Sequence, residues 1–409
     1  MPPRISTSRP SLHTETCSVD DEFEVGTITS APGGWRVASF TNFEPFLTGL
    51  TSDVAIADTT AQRTTEDATG ASHPLGAVTT YPSGSLRLYL SVSGFGEYSL
   101  LSANGLDFEV EVGTSHGIIH VTRRRLDKGQ GQAEAYWGPN ADGTDVVWMY
   151  YNDQTYIYED GSGSHTEQHG VCVKTSEDGV TFTITGSAGA STGLTYGKVG
   201  RVDNSGLLCG LSVVATRGEF KYRGYFSFAP PMGSTDWTVG TIYAATSGNL
   251  QDWTPQATTT TDDGDGAFAT FSTVGLYGEI LGPDSGSDIQ DICMQPFALK
   301  RHDPEHPNAV TLFYYRSFET PPSSKVYYCT SLDGVTFNAA DEKELSLGDG
   351  DVFGDGSSAG PTIVAVRGLD GWVSDPDNPT YLLYTDTQYR ESDGTTSSYI
   401  QARTLKKVV

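Results

Sequence analysis

One short phrase recurs four times along this chain and restricts the possible folds more than any other feature. The phrase starts with a serine, passes through two turn-forming residues and reaches an aromatic residue six positions after the serine. Its copies start at Ser102, Ser176, Ser247 and Ser331. The turn pairs are Asn-Gly, Asp-Gly, Gly-Asn and Asp-Gly, which supply the positive φ angles of tight hairpin turns. This repetition predicts a chain of similar hairpins, with the aromatic packed between neighbouring units.

Two strand-like stretches precede each copy of the phrase. The nearer stretch is rich in aromatic and aliphatic residues, as in VVWMYY at 146–151 and TLFYYR at 311–316. A shorter apolar stretch comes before it, and the phrase itself joins a third strand to a fourth. Repeated units of this length, built from four strands, are typical of β-propeller blades.

A fifth unit near the C-terminal end lacks the phrase. Its strands are predicted in GPTIVAV (360–366), TYLLYT (380–385) and SSYIQARTL (397–405), and the sequence stops where the turn would follow. The missing fourth strand is expected from the N-terminal region, with GWRVASFTNF (34–43) as the candidate donor. Closure of this kind removes the open sheet edges that promote aggregation.

The predicted fold is therefore all-β: a five-bladed β-propeller of four-stranded antiparallel blades, closed by an N-terminal strand. Residues 1–33 have no hydrophobic periodicity and predict a flexible arm, which we expect to become ordered on a partner protein. The propeller is expected to cover 34–409. Its blades are expected at about 70–115, 130–188, 205–258, 286–342 and 357–405, the last completed by the N-terminal strand.

The charge balance excludes some kinds of partner. The chain carries 51 acidic and 25 basic residues, for a formal net charge of −26. Nucleic acids and anionic membranes are bound through clustered Lys and Arg, so neither is expected as a partner. No apolar run is long enough to span a bilayer, and the first residues lack an apolar signal-peptide region, which predicts synthesis in the cytosol. The five cysteines form no CxxC pair and are expected to be reduced.

The repeated unit resembles the blades of glycoside hydrolase families 43 and 32, which include arabinanases, xylosidases and fructosidases. The resemblance covers roughly residues 70–405 and rests on the apolar inner strand, the Tyr-rich second strand and the S-x-D-G-x-x-F/W hairpin. It implies an active site at the axial mouth, where the inner strands begin. In those families an Asp of an Asp-Pro pair is base or nucleophile, a second Asp positions it, and a Glu is the acid. Glycoside hydrolysis requires two carboxyl groups in opposite protonation states.

The catalytic Asp positions of those families are not retained in this chain. From the first blade to the fifth, the corresponding positions read His73-Pro74, Glu134, Cys209-Gly210, Gln295-Pro296 and Gly360-Pro361. Glu134 alone matches a family acid, and one carboxyl group cannot run the reaction. The resemblance makes four residues candidates for ligand binding at the mouth: His73, Glu134, Gln295 and Trp137.

Three residues are candidates for the missing partner of Glu134. Asp288 and Asp291 come shortly before the inner strand of the fourth blade, from which they can reach the mouth. His73 is a candidate general base, because imidazole titrates near neutral pH. The ordinary alternatives stay open, with the two aspartates as loop carboxylates and His73 as a hydrogen-bonded residue of the mouth.

A Gly-rich acidic loop is a candidate calcium site. Asp349, Asp351 and Asp355 lie close together in LGDGDVFGDGSS. Closely spaced carboxylates suit Ca²⁺, which takes six to eight oxygen ligands. The spacing does not match an EF-hand loop, and a solvated acidic loop is the alternative.

Two functions are consistent with these observations. The first is a non-catalytic propeller in a larger assembly, such as a surface or tail protein of a virus or phage virion. It would attach to other virion proteins through the N-terminal arm and bind host glycans at the mouth, outside the cell that made it. The alternative is a glycoside hydrolase with a rearranged acid pair, in which Glu134 works with Asp288 or Asp291.

Overall fold

The regular structure of this protein is almost entirely β-strand. Within the described residues it includes one short 3-10 helix, at Ala339–Asp341, and no helix long and apolar enough to cross a membrane. The predicted all-β class is confirmed. The computed structural model describes residues 14–26, 40–41, 73–79, 85–92, 96–106, 108–110, 118–120, 134–159, 165–182, 190–197, 207–229, 241–256, 258–262, 267–271, 273–277, 292–319, 322–346, 357–366, 369–372, 378–390 and 396–408.

The N-terminal part of the chain forms a six-stranded sheet, called sheet I. Its antiparallel path runs from β3 to β6, while β2 pairs in parallel with β6 and β7 pairs with β5. The strand β1 belongs to a different sheet. The strands described here are β1 (Phe23–Gly26), β2 (Phe40–Thr41), β3 (His73–Thr79), β4 (Leu86–Val92), β5 (Gly96–Ser102), β6 (Phe108–Val110) and β7 (Ile118–His120).

The middle of the chain forms sheets II and III. Sheet II contains β8 to β11 in antiparallel order, and sheet III contains β12 to β15, with β18 also paired to β14. A separate hairpin joins β16 and β17. The strands are β8 (Glu134–Pro139), β9 (Asp145–Glu159), β10 (His165–Ser176), β11 (Ala190–Gly197), β12 (Leu207–Ala215), β13 (Tyr222–Ala229), β14 (Thr241–Ser247), β15 (Thr254–Pro255), β16 (Thr258–Asp262), β17 (Ala267–Phe271) and β18 (Thr273–Tyr277).

The C-terminal part forms sheets IV and V, each of four strands. Sheet IV contains β19 to β22, and sheet V has the order β23, β24, β25, β1. The strands are β19 (Ile292–Lys300), β20 (Val310–Glu319), β21 (Pro322–Ser331), β22 (Lys343–Glu344), β23 (Ser357–Ala365), β24 (Tyr381–Arg390) and β25 (Thr396–Lys407).

The sheets have a propeller arrangement, so the predicted architecture is confirmed at that level. The propeller arrangement has four recognisable blades, whereas the sequence predicted five. The predicted number of blades is therefore not confirmed. Sheet I departs from the simple four-stranded order through its extra pairings with β2 and β7. The recurring phrase predicts where hairpins form. A hairpin alone does not specify a regular four-stranded blade, so the number of blades does not follow from the phrase.

The strand that completes sheet V is not the predicted donor. β1 pairs with β25 in antiparallel register from Phe23 opposite Lys407 to Gly26 opposite Thr404. Within the predicted donor 34–43, the described residues are β2, which pairs with sheet I. Four residues of β1 are too few to produce a visible strand pattern in the sequence, and their packing partners lie at the other end of the chain.

The recurring phrase forms the tight turn that its sequence predicts. In sheet IV, Ser331 Oγ accepts a hydrogen bond from the Gly334 N–H at 3.0 Å, and Asp333 Oδ1 accepts from Val335 N at 2.7 Å and Thr336 N at 2.8 Å. Gly334 has φ +68°, the left-handed conformation that favours glycine. The same serine bond recurs in the other copies, in which Ser102 accepts from Gly105, Ser176 from Gly179 and Ser247 from Leu250.

In the third copy, the two turn residues are Asn249 and Leu250, whereas the sequence predicted Gly-Asn. Asn249 takes the Asp position, where its Oδ1 accepts from Gln251 N at 3.0 Å and Asp252 N at 2.8 Å. Leu250 takes the glycine position with φ +68°. Its side chain is fully buried, so packing offsets the roughly 1–2 kcal/mol that this conformation costs a residue with a Cβ.

Each of these turns is also bonded to the preceding sheet by a buried tyrosine. A hydroxyl on the second strand of one sheet donates to the turn carbonyl of the next. The pairs are Tyr89 to Gly179 at 2.9 Å, Tyr150 to Leu250 at 2.6 Å, Tyr225 to Gly334 at 2.6 Å, and Tyr384 of sheet V to Gly105 of sheet I.

The aromatic residue of the phrase packs edge-on against the same tyrosine. Ring centroids lie 5.9 Å apart for Phe182 and Tyr89, 5.8 Å for Trp253 and Tyr150, and 6.0 Å for Phe337 and Tyr225. The predicted packing between neighbouring units is confirmed for Phe182, Trp253 and Phe337. The hydrophobic core is accordingly divided into clusters that lie between sheets.

Candidate functional site

A shift of strand register occurs in the first strand of four sheets. The breaks lie between Pro74 and Gly76, Cys209 and Ser212, Met294 and Phe297, and Ala359 and Thr362. In each case the first strand carries one more residue than its partner, as in a β-bulge, which bends a strand and redirects a side chain. The residue pairs compared with the glycosidase families lie in or beside these bulges.

Gln295 lies in the bulge of β19 and combines two costly features. Its φ is +52°, a left-handed conformation that is uncommon for a residue with a side chain. The residue is only 8% exposed, and its Oε1 is buried without a hydrogen-bond partner among the described residues. Its backbone N–H donates to Ser227 Oγ of sheet III at 3.0 Å, which holds the bulge against the neighbouring sheet.

The cost of these features makes Gln295 a candidate functional residue. A strained backbone conformation costs roughly 1–3 kcal/mol and tends to persist at ligand sites. A buried acceptor without a donor costs a further 1–3 kcal/mol or so. A ligand hydroxyl or N–H that donates to Oε1 would remove the second cost.

Glu134 lies in an environment that favours the protonated form of its carboxyl group. Burial raises the pKa of its carboxyl well above the ordinary value, and no cation among the described residues opposes this shift. A carboxyl group of this kind is suited to donate a proton near neutral pH. It is the first residue of β8.

Glu134 and His73, which the sequence aligned with each other, differ in their strand pairing. Glu134 pairs with Tyr150, the tyrosine that bonds to the next turn. His73 pairs with Ser91, which lies two residues after the corresponding tyrosine, Tyr89. Measured from the turn-bonding tyrosine of the second strand, Glu134 is therefore offset by two residue pairs from the position of His73. The sequence comparison missed this offset because β8 has no register shift and no proline to align on.

Of the remaining predicted site residues, two lie in described strands and five lie outside the described residues. His73 begins β3, as expected for a residue at the start of an inner strand. Trp137 is half-buried and packs against a core cluster between sheets I and II, so packing accounts for its presence. Asp288, Asp291, Asp349, Asp351 and Asp355 lie outside the described residues. The acid pair and the calcium loop therefore stay predictions, and no metal-binding group of three or more His, Cys, Asp or Glu occurs among the described residues.

A buried charged cluster joins the N-terminal segment to sheet IV and was missed by the sequence analysis. Arg301 is 1% exposed and donates to Glu15 Oε2 at 2.8 Å and to Asp21 Oδ2 at 2.9 Å. Lys407 lies 2.9 Å from Asp21, and the Cys17 N–H donates to the Asp303 carboxylate at 2.8 Å.

These contacts correct the prediction for the N-terminal arm. Residues 14–26 are held by the chain itself, whereas the sequence predicted a flexible arm that needs a partner to become ordered. Burial alone would raise the pKa of Glu15, but the hydrogen bonds and positive charge of Arg301 outweigh it and hold the pKa below its ordinary value. The segment has no periodicity because charged contacts and one short strand dock it.

The chain matches no protein-family model and no curated protein. Among solved structures it is similar to an N-acetylgalactosamine deacetylase from F. plautii in complex with blood group B trisaccharide. That similarity has 13% identity and a TM-score of 0.54, over 93% of this chain and 95% of the other.

Two glycosidases are also similar in structure. An endo-arabinase from Bacteroides thetaiotaomicron has 10% identity and a TM-score of 0.45, over 80% of this chain and 93% of its own. A glycosyl hydrolase from Bacteroides ovatus has 14% identity and a TM-score of 0.45, over 96% of both chains. At 13% identity the likeness to the deacetylase concerns the fold alone.

Proposed function

We propose that this chain binds carbohydrate at the axial mouth of its propeller, with Gln295 in contact with the ligand. The buried Oε1 of this residue, without a donor among the described residues, is the observation that carries the proposal. A side-chain amide offers one acceptor and two donors. Sugar hydroxyls both donate and accept, so they match this group.

The structural similarity supports the same class of ligand. The F. plautii deacetylase, which shares the fold, is described in complex with a trisaccharide. A shared fold does not specify a reaction, so the ligand class is argued from Gln295 and the similarity is used as support.

We further propose that the ring has five blades and that β1 completes the last one. In support, the first strands contact each other in the order β3, β8, β12, β19, β23, and β23 contacts β3. β1 pairs along its whole length with β25. In such a ring the five first strands surround one mouth, and β19 carries Gln295 into it.

Glycan binding tests the main proposal. The chain and its Gln295→Ala variant would be applied to a glycan array, and the best ligand measured by calorimetry. We expect wild-type binding and a loss of about tenfold or more in the variant, because a hydrogen bond inside a desolvated site disappears. Gln251→Ala, at an exposed position in a turn, is the matched control and should bind normally. Equal affinity of the two variants, or no binding by the wild type, would contradict the proposal.

A second candidate function is glycoside hydrolysis with Glu134 as the general acid. The raised pKa of its buried carboxyl favours this role, since the acid must be protonated when the glycosidic bond breaks. Its partner would be Asp288 or Asp291, as predicted from the sequence.

Aryl-glycoside turnover distinguishes the two candidates. Hydrolysis that is lost in Glu134→Gln, while glycan binding is kept, would establish the enzyme. Binding without turnover in the wild type would exclude it for the sugars tested. The virion role, the attachment to other virion proteins and the location outside the cell stay predictions, and the structural similarities do not support a virion role.

A further inference from the structure

A cluster of positive charge lies where three segments of sheets III and IV meet. It consists of Lys300, Arg217 and Arg223, from the end of β19, the β12–β13 loop and the start of β13. The backbone N–H of Arg217 donates to Asn308 Oδ1 at 2.8 Å, and Asn308 Nδ2 donates to the backbone carbonyl of Arg217 at 2.9 Å. Lys300 Nζ donates to the Pro307 carbonyl at 2.6 Å. These bonds hold the loop of Arg217 against the segment that contains Pro307 and Asn308.

The third member of the cluster is fixed by the turn of sheet IV. Arg223 Nη1 donates to the Asp333 carbonyl at 2.9 Å. Arg223 also contacts the Tyr225 hydroxyl. A guanidinium has five N–H donors and an ammonium has three, so Arg223 and Lys300 each keep donors beyond these bonds. Lys300 and Arg223 are half-buried and Arg217 is exposed, which leaves the cluster open on one side.

No carboxylate among the described residues pairs with these three cations. The Asp333 carboxylate turns back to accept from Val335 and Thr336 of its own turn. The Asp303 carboxylate accepts from backbone N–H groups, including that of Cys17 at 2.8 Å. Glu219 is exposed on the same loop as Arg217, together with Lys221. In a chain with about twice as many acids as bases, a group of cations without a paired carboxylate in the described part of the chain needs a physical reason.

Burial and the two arginine charges act in the same direction on Lys300. Burial, followed by the charges of Arg223 and Arg217, lowers the pKa of its ammonium to about 8. A bound anion would reverse this effect, because it favours the charged form of the lysine.

We propose that Lys300, Arg217 and Arg223 form a binding site for a divalent oxyanion, such as sulfate or phosphate, either free or as an ester on a larger ligand. Guanidinium groups suit tetrahedral oxyanions because their donors are arranged in a planar fork. The site is separate from the proposed carbohydrate mouth. Lys300 is five residues beyond Gln295 in the same strand, or about 16 Å in extended conformation.

Calorimetry at constant ionic strength, with sodium chloride as the reference salt, tests the site. Sodium sulfate and sodium phosphate are the free ions, and a sugar sulfate with its unsulfated parent tests an ester source. We expect saturable binding that weakens about tenfold or more in Lys300→Gln and in Arg217→Gln, because each variant loses a charge-assisted bond. Lys325→Gln removes an exposed lysine paired with Glu344 in the same sheet and should leave binding unchanged.

A second measurement does not depend on the stability of a variant. The rate at which the Lys300 amine of the wild-type chain reacts with an acylating reagent would be followed against pH by mass spectrometry. The midpoint should move upward from about 8 when sulfate replaces chloride. An unchanged midpoint, or equal weakening of sulfate binding by Lys325→Gln and Lys300→Gln, would overturn the proposal. Binding of the sugar sulfate alone would identify an ester ligand, and tighter binding of inorganic sulfate would identify the free ion.

Discussion

The junction between sheets III and IV is built differently from the junction between sheets IV and V. At the first, Tyr225 donates to the carbonyl of Gly334, and Phe337 packs edge-on against the tyrosine ring. Tyr225 lies three residues after Tyr222, which pairs with Ser247, the serine of the copy of the phrase in sheet III. Three other junctions between sheets share this tyrosine-to-turn bond.

At the second junction the corresponding residue is a phenylalanine. Phe313 lies three residues after Val310, which pairs with Ser331 of the phrase. Sheet V has no turn phrase to accept a hydroxyl, because its outer strand is β1. Phe23 takes the place of the missing aromatic, with its ring centroid 5.2 Å from that of Phe313, and its N–H donates to the Tyr328 hydroxyl at 3.1 Å.

The two junctions also differ in charge. The tyrosine bond is neutral, and a bond of this kind contributes about 1 kcal/mol. The N-terminal segment adds the buried contacts of Arg301 with Glu15 and Asp21. The neutral hydroxyl bond does not depend on pH, whereas a charged contact is strong only while every partner is ionised. The difference leads to four predictions, from the largest expected effect to the smallest.

Replacement of Arg301 by Met should have the largest effect. It leaves Glu15 buried without its paired cation and leaves Asp21 with Lys407 alone. Breaking a buried ion pair in this way costs roughly 3–5 kcal/mol. Urea denaturation measures the change in unfolding free energy. Lys325→Met is the control, since it removes an ion pair that is about half exposed and worth about 0–1 kcal/mol. If adding Glu15→Gln and Asp21→Asn to Arg301→Met restores no stability, the ionic account of this junction is wrong.

Replacement of Gly334 by Ala should have the next largest effect. The left-handed φ of +68° costs a residue with a Cβ about 1–2 kcal/mol. The new Cβ would also lie 2.6 Å from the Asn308 carbonyl oxygen, and overpacking adds about 1–3 kcal/mol. Gly143→Ala is the matched control, with φ +86° and open space around the Cβ, and should show the conformational cost alone. Equal melting temperatures of the two variants would show that the turn is not tightly packed.

Loss of the tyrosine hydroxyl should cost less. Tyr225→Phe leaves the Gly334 carbonyl without its donor, which we expect to lower the unfolding free energy by about 1–3 kcal/mol. Tyr222→Phe, in the same strand and half-buried, should change it by less than about 0.5 kcal/mol. Similar values for both would mean that the ring, and not the hydroxyl, provides the stability of this junction.

Acid should weaken the N-terminal junction before the tyrosine junction at Asn249. The pKa of Glu15 lies below its ordinary value in the folded chain, so its contribution to stability is complete above about pH 4.5 and is lost as the pH falls through the lowered pKa. Hydrogen exchange at the amides of β1 should accelerate over that range. The amide of Leu250 is the internal reference, because Asn249 does not titrate. Simultaneous loss of protection at both sites would contradict the comparison.

The repeated elements were predictable because their causes are local. A serine, an Asp or Asn two residues later and a glycine after it make their bonds within a few residues. The aromatic six residues after the serine makes the same contact in three copies, at Phe182, Trp253 and Phe337. The same logic failed at Leu250, since a leucine is accepted in a left-handed turn only where surrounding packing holds it.

The candidate site was predictable only in part. Gln295 was singled out because it precedes a proline at the start of an inner strand. Its left-handed backbone and buried amide oxygen depend on a bulge held by Ser227 of another sheet, which no short pattern in the sequence reports. Glu134 was recognised as an acid, but its pairing with Tyr150 was not predictable, since a register follows from the whole strand.

The amino-acid sequence determined the hairpin unit, the all-β class and the aromatic contacts between units, because each follows from residues close together in the chain. Tertiary structure decided which N-terminal strand joins sheet V, how Arg301 holds residues 14–26, and that the backbone of Gln295 is strained. Those features depend on the meeting of segments hundreds of residues apart, such as Phe23 and Lys407, and the physical cause is burial, which exists only in the folded chain.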